Sequence, residues 1–419
     1  MTHRNGFLCL AGGASARFFP CNKVFTRLVD PKRSMIQQTV DRLVSDTHNE
    51  PPLCSPDDFF LITGPSFADR MKSELSEVPS GNILVEPARR NTLPAILWAL
   101  SQMRSKGFDP SSLITVVTAD HVIPDVNNFR QCLSTAGKVA SSSFSIVTIG
   151  ITPSSDPCEW TSFGTMKTKK ATKPASLLAR FEEKPTVERA NEMVNQGGWF
   201  WNSGMFLFTI ATLESLLQSL QPSIYEVYAS LVDAHAKGND TKARELFSCF
   251  PSKIQHPLVH DSLADCSIDY ALMVPLTMEE HLIDVQGQVV EGSFDWIDIG
   301  SWSALRGVIQ PDDENNIVLG KCVVEDCKNC VIVAEEPFVI KCTDLDGLVV
   351  VVNSNGSGLV CPENRSAEVK RIAGLRAMQE EGVVEFDVKD CDVIGKVALF
   401  GVSGLKICLE NEDFIVHKR

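Results

Sequence analysis

The chain has 419 residues, of which 44% are hydrophobic and 22% are charged, so it has enough apolar side chains to form one or more cores. This composition excludes a disordered, collagenous or fibrous protein. The 39 basic and 53 acidic side chains give a net charge of −14. That charge excludes a general nucleic-acid binder, because affinity for a phosphate backbone depends on clustered Lys and Arg. An anionic ligand therefore needs a locally basic site.

Short apolar strands alternate with helical patterns through the first two thirds of the chain, which is typical of an α/β fold with a buried parallel sheet. One helix is predicted to begin at the cap Asn91-Thr92 and to end at Gly107. The predicted strands are residues 6–10, 58–63, 82–85, 113–118 and 144–150. This helix and the strands beside it predict a βαβ unit.

After Pro311 the pattern changes to short β segments separated by polar turns. These predicted strands are residues 316–319, 321–324, 330–333, 338–341 and 348–352. Residues 389–416 weakly repeat the pattern of 328–360, with a helical segment at 366–381 between them. The sequence predicts a smaller all-β C-terminal domain, either coils of a β-helix or an antiparallel sandwich. We place the division between residues 1–305 and 306–419.

The cysteines and the apolar runs indicate the environment of the protein. The fourteen cysteines are scattered and often lie in apolar runs, which is typical of reduced, packed thiols. Only Cys327 and Cys330 have redox or zinc spacing, and we interpret them as unrelated cysteines flanking a turn, since no second pair completes a site. No apolar run reaches ~18 residues. These patterns predict a soluble, cytoplasmic protein without a membrane partner.

The first chemically informative segment follows the first strand. In it, Gly12 and Gly13 let backbone N–H groups approach phosphate oxygens, and Arg17 can pair with them bidentately. A tight structural turn is the alternative reading of the glycines. Asp120 comes after the strand 113–118, at the carboxyl edge where ligands of open α/β sheets bind. Its alternative role is to cap a helix.

Several different motifs follow one another along the chain. They are Leu10-Ala11-Gly12-Gly13 with Arg17 and Pro20, Met35-Ile36-Gln37-Gln38-Thr39, Glu86-Pro87 with Arg90-Asn91-Thr92 and Pro94-Ala95-Ile96, Ala119-Asp120-His121, Phe181-Glu182-Glu183-Lys184-Pro185, Trp201-Asn202-Ser203-Gly204-Met205-Phe206, Ser267-Ile268-Asp269-Tyr270-Ala271 and Trp296-Ile297-Asp298-Ile299-Gly300-Ser301-Trp302. Together they resemble the mannose-1-phosphate guanylyltransferase (GDP-mannose pyrophosphorylase) family of sugar nucleotidyltransferases. The resemblance covers nearly all of the first 305 residues.

The resemblance implies a Rossmann-like catalytic domain with a mostly parallel mixed sheet. It also implies transfer of a nucleoside monophosphate from GTP to mannose 1-phosphate, with Mg²⁺ as cofactor. The implied site residues are Arg17 and Lys23 for catalysis; Leu10, Ala11, Gly12, Gly13, Glu86, Arg90 and Asn91 for the nucleotide; Glu183, Lys184 and Asn202 for the sugar phosphate; and Asp120 and Asp298 for the metal. His121 is expected to make a structural hydrogen bond.

Without the resemblance, several of these site residues would be assigned simpler, structural roles. The run around Glu183 and Lys184 is usually a solvated strand end, and Asn202 is usually part of a turn before the strand 205–208. Salt-bridged capping is the alternative role for Glu86 and Arg90.

This chain also departs from the family pattern. Ser15 stands where members usually have Gly, and the loop before the phosphate lysine is short. Lys23 therefore fits that lysine better than Lys32, counted back from residues 37–39. Two alternatives stay open: an enzyme for another base or sugar 1-phosphate, and a non-catalytic regulatory subunit that binds a nucleotide sugar.

The C-terminal third argues against a second activity. Some family members carry an isomerase domain of cupin type, which needs a His-rich metal cluster, and this chain has only His417 after residue 300. The β segments instead resemble those that make oligomer contacts in the family. The sequence predicts a homodimer.

Overall fold

The computed structural model describes residues 4–13, 16–45, 51–169, 173–257, 262–278, 283–369, 383–385, 396–399, 405–410 and 413–418. The chain forms two compact units. The first unit contains Met1–Gly13, Thr39–Ala119 and Ile123–Trp296, and the second contains Ala14–Gln38, Asp120–Val122 and Ile297–Arg419.

The strands are numbered in chain order. They are β1 (Asn5–Leu10), β2 (Phe59–Thr63), β3 (Ile83–Val85), β4 (Leu113–Thr118), β5 (His121–Val122), β6 (Ser145–Ile151), β7 (Gly164–Thr168), β8 (Ser176–Glu183), β9 (Trp199–Thr209), β10 (Lys253–Gln255), β11 (Leu263–Asp265), β12 (Gln286–Gly292), β13 (Ile297–Asp298), β14 (Ile317–Leu319), β15 (Cys322–Glu325), β16 (Val331–Ala334), β17 (Val339–Thr343), β18 (Leu348–Val352), β19 (Gly358–Pro362), β20 (Val383–Glu385), β21 (Lys396–Leu399), β22 (Leu405–Glu410) and β23 (Asp413–Lys418).

The α-helices are numbered in the same way. They are α1 (Met35–Val44), α2 (Ala68–Glu74), α3 (Thr92–Ser105), α4 (Val126–Ser142), α5 (Pro157–Trp160), α6 (Val187–Gln196), α7 (Ile210–Leu220), α8 (Pro222–Ala236), α9 (Asp240–Ser248) and α10 (Val274–Met278). Shorter 3₁₀ turns include Ala16–Phe18, Lys23–Phe25 and Glu363–Glu368, and a π-helical turn spans Asp269–Met273.

A mixed sheet with the strand order β3-β2-β1-β4-β9-β6-β12-β8-β7 forms the centre of the first unit. Strands β3, β2, β1 and β4 are parallel, as are β6 and β12. The prediction of an α/β fold with a mixed sheet is confirmed. Strand β9 runs antiparallel to β4, β6 and β7, and β8 runs antiparallel to both β7 and β12, so seven of the nine strands point in one direction.

The predicted βαβ unit is present, with boundaries within a residue or two. Every residue of β2 is buried, as expected for a strand covered on both faces. Helix α3 begins where the Asn91 side chain accepts the Thr92 N–H at 2.7 Å, and it buries Leu93, Ile96, Leu97 and Leu100. Capping and apolar burial together explain why this segment is a helix.

The long strand β9 corrects one local prediction. The sequence reading put Asn202 in a turn before the strand 205–208, whereas the structure places it inside β9, opposite Gly150 of β6. The register shifts between Thr148 and Gly150, and Gly204 has a φ of 73°. A β-bulge therefore keeps the strand continuous through the glycine that suggested a turn.

The second unit contains parallel ladders in its C-terminal part. Strands β14, β16 and β18 pair in parallel, as do β15, β17 and β23. Strand β18 continues antiparallel to β19. The predicted helix 366–381 begins within the turn Glu363–Glu368, and its residues 370–381 lie outside the described residues. Half of the predicted repeat 389–416 also lies outside them.

The pair Cys327 and Cys330 lies in the core of these ladders. Both residues are buried, and their thiols donate to the carbonyl oxygens of Glu325 and Lys328 at 3.2 and 3.1 Å. Burial raises the pKa of both thiols. They are packed, protonated cysteines beside a turn. No helix among the described residues is long and apolar enough to cross a membrane.

Gly320 allows β14 to turn into β15 at a close approach of the backbone. Its φ is +83°, and a Cβ at this position would lie 2.0 Å from the Ala334 carbonyl oxygen. We expect Gly320→Ala to destabilise the protein by about 3 kcal/mol, through left-handed backbone strain and the clash together. Urea unfolding measures this. Gly307→Ala, where a Cβ has open space, is the control, and equal effects of both substitutions would contradict the prediction.

Candidate functional site

Lys23 is the centre of a charged cluster in the second unit. It begins the turn Lys23–Phe25, which the Asn22 side chain caps by accepting the Val24 N–H. Only 3% of Lys23 is exposed. Its Nζ donates to Asp298 Oδ1 at 2.7 Å and to Asp120 Oδ2 at 3.3 Å. One buried ammonium therefore joins two carboxylates that are 178 positions apart in sequence, counted from 120 to 298.

A short antiparallel pairing brings the two carboxylates together. Strand β5 pairs with β13, with His121 opposite Asp298 and Val122 opposite Ile297. Asp120 directly precedes β5, so both carboxylates lie at the same end of this pairing. About a third of each aspartate side chain is exposed. The carboxylates thus remain accessible, although the lysine between them is buried.

The Trp296–Trp302 motif also positions the segment that carries Lys23. Trp302 is fully buried, packs against Phe18 with ring centroids 4.8 Å apart, and donates its indole N–H to the Phe19 carbonyl oxygen. Asn353 donates to the Pro20 carbonyl oxygen at 2.8 Å. These contacts fix residues 18–20, where the first 3₁₀ turn ends and the chain leads to the second.

The charges around Asp298 favour its ionised form. Burial by itself raises the pKa of Asp298, but Lys23, His121 and Arg17 outweigh it, so that the pKa is lowered. Arg17 is exposed, and its guanidinium lies 3.5 Å from where a Cβ of Gly300 would be. Arg17, Lys23, Asp120 and Asp298, four of the site residues that the resemblance implies, therefore form one cluster.

Asp120 and Asp298 are the candidate holders of a divalent cation. Among the described residues no group of three or more His, Cys, Asp or Glu side chains is arranged to hold a metal ion. Mg²⁺ is usually held by only one or two carboxylates and completes its octahedron with phosphate oxygens and water. Two accessible, converging carboxylates fit this requirement, and Lys23 shares the same oxygens.

The structure also distinguishes between Lys23 and Lys32, the two candidates for the phosphate lysine. Lys32 is exposed, and its backbone N–H donates to Asp30. Lys23, by contrast, is the lysine that reaches Asp120 and Asp298. Ser15, the other departure from the family pattern, lies outside the described residues.

The glycine loop of the first unit follows β1. The Ala11 N–H, next to Leu10, donates to the Ile62 carbonyl oxygen at 2.9 Å. A Cβ on Gly12 would lie 3.0 Å from Glu86 Oε1, whereas one on Gly13 would meet nothing within 4 Å. Glu86 is buried, and burial raises its pKa against the opposing charge of Arg89. The predicted nucleotide residues Gly12 and Glu86 therefore lie side by side.

Arg90 and Asn91 lie where β3 passes into α3. Asn91 is exposed, has a φ of 73° and caps α3 through its side chain, so the simple capping role is realised for this residue. The Arg90 Nε is buried and has no hydrogen-bond partner within the described part of the chain.

Glu183 and Lys184 form an ion pair at the end of β8. Lys184 Nζ lies 2.9 Å from Glu183 Oε1, and the lysine side chain is 59% exposed. The backbone of Lys184 has a φ of 46°, and its N–H donates to the Phe163 carbonyl oxygen. Burial by itself lowers the pKa of Lys184, but the charges of Glu183 and Asp269 outweigh this effect. The net pKa is raised, so the ammonium form is favoured.

Asn202 is buried beside this pair with its amide already hydrogen-bonded. Its Oδ1 lies 2.9 Å from the Thr148 hydroxyl and accepts the Gly204 N–H, and its Nδ2 donates to Asp269 Oδ1 at 3.0 Å. Sequence reasoning noted the motif 267–271 but assigned no role to Asp269. The signal available was an acidic residue inside a motif of otherwise apolar and small residues.

A separate cavity of about 250 Å³ lies in the first unit, between β8, α10 and β12. Its lining includes Leu177, Leu276 and Gln286. None of the predicted site residues lines it, so it does not carry the function.

An open α/β sheet with a glycine loop after its first strand is typical of the class of proteins that bind phosphate compounds. The chain belongs to the nucleotidyl transferase family, whose model matches residues 7–315. The predicted family of sugar nucleotidyltransferases is thereby confirmed.

Individual relatives narrow the comparison. The chain is 33% identical over 373 residues to a mannose-1-phosphate guanylyltransferase of Klebsiella pneumoniae, which covers 86% of this chain and 72% of the relative. It is 30% identical over 389 residues to the alginate biosynthesis protein AlgA of Pseudomonas putida, covering 90% and 72%. The crystal structure of a mannose-1-phosphate geranyltransferase from Thermus thermophilus matches with a TM-score of 0.69 at 24% identity, covering 89% of this chain and 99% of that one. This last likeness supports the fold.

Proposed function

We propose that the protein transfers GMP from GTP to mannose 1-phosphate and releases pyrophosphate. In this reaction an oxygen of the sugar phosphate bonds to the α-phosphorus of GTP, and the bond from that phosphorus to the bridging oxygen of pyrophosphate breaks. The observation that carries the proposal is Lys23 held between Asp120 and Asp298. The guanylyltransferase relatives, matched over most of the chain, support the choice of substrates.

The second unit supplies charge for the phosphates. Arg17 and Lys23 neutralise the negative charge that develops during transfer, and Lys23 is held in place by Asp120 and Asp298 before the reaction begins. Asp120 and Asp298 hold a divalent cation, for which we propose Mg²⁺. When bound, the cation supplies further charge neutralisation for the phosphate oxygens. Catalysis then comes from alignment and electrostatics, without a covalent intermediate on the protein.

The first unit supplies binding groups. The loop Leu10, Ala11, Gly12 and Gly13, together with Glu86, Arg90 and Asn91, binds the nucleotide. Glu183 accepts hydrogen bonds from sugar hydroxyls, and the exposed Lys184 ammonium pairs with the sugar phosphate. Asn202 uses its one remaining N–H towards the sugar, since its carbonyl oxygen is already engaged.

A matrix of the four common nucleoside triphosphates against several sugar 1-phosphates tests the proposal. We expect pyrophosphate release to be fastest with GTP and mannose 1-phosphate and to require Mg²⁺. A different best pair would reassign base or sugar within the same class. Binding of GTP or GDP-mannose without pyrophosphate release at any Mg²⁺ concentration would instead support a non-catalytic regulatory subunit.

We further propose that the protein is a homodimer and that the parallel ladders of residues 317–352 are coils of a β-helix. The run of parallel pairings from β14 to β18 and from β15 to β17 supports the second point. The division near residue 305, the cytoplasmic location and the absence of a nucleic-acid partner stay predictions. Sedimentation at micromolar concentration tests the dimer, and a strict monomer would contradict it.

A further inference from the structure

Asp269 of the first unit has no role in the function described so far, yet it joins the residues proposed to bind the sugar phosphate. It is partly buried and accepts a hydrogen bond from Asn202 Nδ2 at 3.0 Å. Asp269 also acts electrostatically on Lys184 and on Glu183, which form an ion pair with each other. A single carboxylate therefore links an amide of β9 to the lysine at the end of β8.

The backbone around Asp269 is suited to hold it in place. It begins the π-helical turn Asp269–Met273, an uncommon element that occurs frequently at functional sites. The preceding residues are tied to the start of α3, because the Ile268 N–H donates to the Thr92 hydroxyl and the Leu93 N–H donates to the Cys266 carbonyl oxygen. Buried residues Ala271, Leu272 and Met273 anchor the turn from below.

The amide of Asn202 has only one orientation that satisfies its neighbours. Its Oδ1 takes the Gly204 N–H and faces the Thr148 hydroxyl, so its Nδ2 must point to Asp269. Without an acceptor at position 269, that N–H would lose its partner, and the amide would be held through its Oδ1 alone. Asp269 thus decides where the second N–H of Asn202 points.

We propose that Asp269 is a positioning residue for sugar 1-phosphate binding, which it serves by accepting the hydrogen bond that fixes the Asn202 amide. This inference rests on the proposed function of that site. Asp269 itself does not need to touch the substrate, since it acts through Asn202 and Lys184.

The charge balance adds a pH dependence to this role. Burial and the neighbouring Glu183 raise the pKa of Asp269 to about 7, although Lys184 and the Ser267 hydroxyl oppose the rise. Tyr270 is the other titratable group beside it. Above that pH two carboxylates surround one ammonium, and an incoming phosphate dianion is repelled; below it the net charge is neutral. Sugar phosphate binding is therefore expected to take up a proton and to weaken as the pH rises.

Two substitutions separate the hydrogen bond from the charge. Asp269→Ala removes the acceptor, and we expect it to raise KM for mannose 1-phosphate about tenfold while KM for GTP stays unchanged. Asp269→Asn keeps an acceptor oxygen but cannot ionise. Its KM for mannose 1-phosphate should equal that of the wild type at about pH 6 and should be lower than that of the wild type at about pH 8. The phosphate of the substrate also titrates, but equally for every variant.

Glu214→Gln is the matched control. Glu214 is another partly buried carboxylate of the first unit whose pKa is raised by burial, and it accepts a hydrogen bond from the Tyr228 hydroxyl. We expect its removal to leave both KM values and their pH profiles unchanged. Thermal unfolding of each variant identifies a loss of structure.

A side-chain amide resonance gives a readout that does not depend on turnover. The Asn202 NH₂ signal, assigned by its loss in Asn202→Asp, should shift with a midpoint near the pKa of Asp269 and should lose that shift in Asp269→Asn. Two results would overturn the role of Asp269 but leave the proposed function standing, provided that the wild type converts mannose 1-phosphate. One is an Asn202 resonance that does not change with pH, and the other is KM values that neither substitution changes. A wild type that turns over no sugar 1-phosphate would overturn the proposed function and this inference with it.

Discussion

Replacement of Lys23 by Met is expected to lower kcat about 10³-fold, the effect seen when a cationic group is removed from a phosphoryl-transfer site. Methionine has nearly the same length, so the apolar packing of the side chain is kept while the ammonium is lost. The positive charge that neutralises the phosphates then disappears, and no lysine ammonium lies between Asp120 and Asp298. Steady-state pyrophosphate release measures the loss.

The chain provides its own control for this substitution. Lys32 follows a proline in the same loop region but is exposed, so Lys32→Met removes an equal charge without touching the carboxylates. We expect its kcat to remain that of the wild type. If Lys32→Met abolished turnover and Lys23→Met did not, the assignment of the phosphate lysine would be reversed.

Replacement of Asp298 by Asn is expected to lower kcat by about 10³-fold as well, since one of the two carboxylates that hold the divalent cation is lost. The Mg²⁺ concentration needed for half-maximal rate should rise with it. Lys23, His121 and Arg17 lower the pKa of Asp298 in the wild type. This carboxylate therefore stays ionised at pH values at which an ordinary aspartate would take up a proton. The wild-type rate should therefore not depend on Asp298 titration near neutral pH.

Asp295→Asn serves as the comparison, because Asp295 is three positions earlier and exposed. Its kcat and Mg²⁺ requirement should equal those of the wild type. An Asp298→Asn protein that keeps its fold by circular dichroism and its full rate would show that the carboxylate holds no catalytic cation.

Local patterns predicted most of the elements that surround the site. Strands such as 113–118 are short runs of apolar residues, and their burial on both faces is visible in the sequence itself. The cap of α3 at Asn91 depends on residues that are adjacent in the chain. Such features are fixed by contacts over a few positions, so a single sequence predicts them.

Local patterns could not predict which strands of the mixed sheet reverse direction, nor the bulge in β9. Antiparallel pairing of β9 with both β4 and β6 depends on partners many residues away. Gly204 reads as a turn in isolation, and only the pairing with β6 shows that it lies in a bulged strand. Long-range hydrogen bonding outweighed the local signal of the glycine.

The sequence by itself determined the order of the motifs, through which the chain resembles a known class of protein, and the residue types available for phosphate chemistry, because both are written in short stretches of the chain. The tertiary structure decided which of those residues meet. It placed Lys23 and not Lys32 between Asp120 and Asp298, and it gave Asn202 the partner Asp269. Side chains far apart in sequence are brought together by strand pairing and core packing, whose register no local pattern encodes.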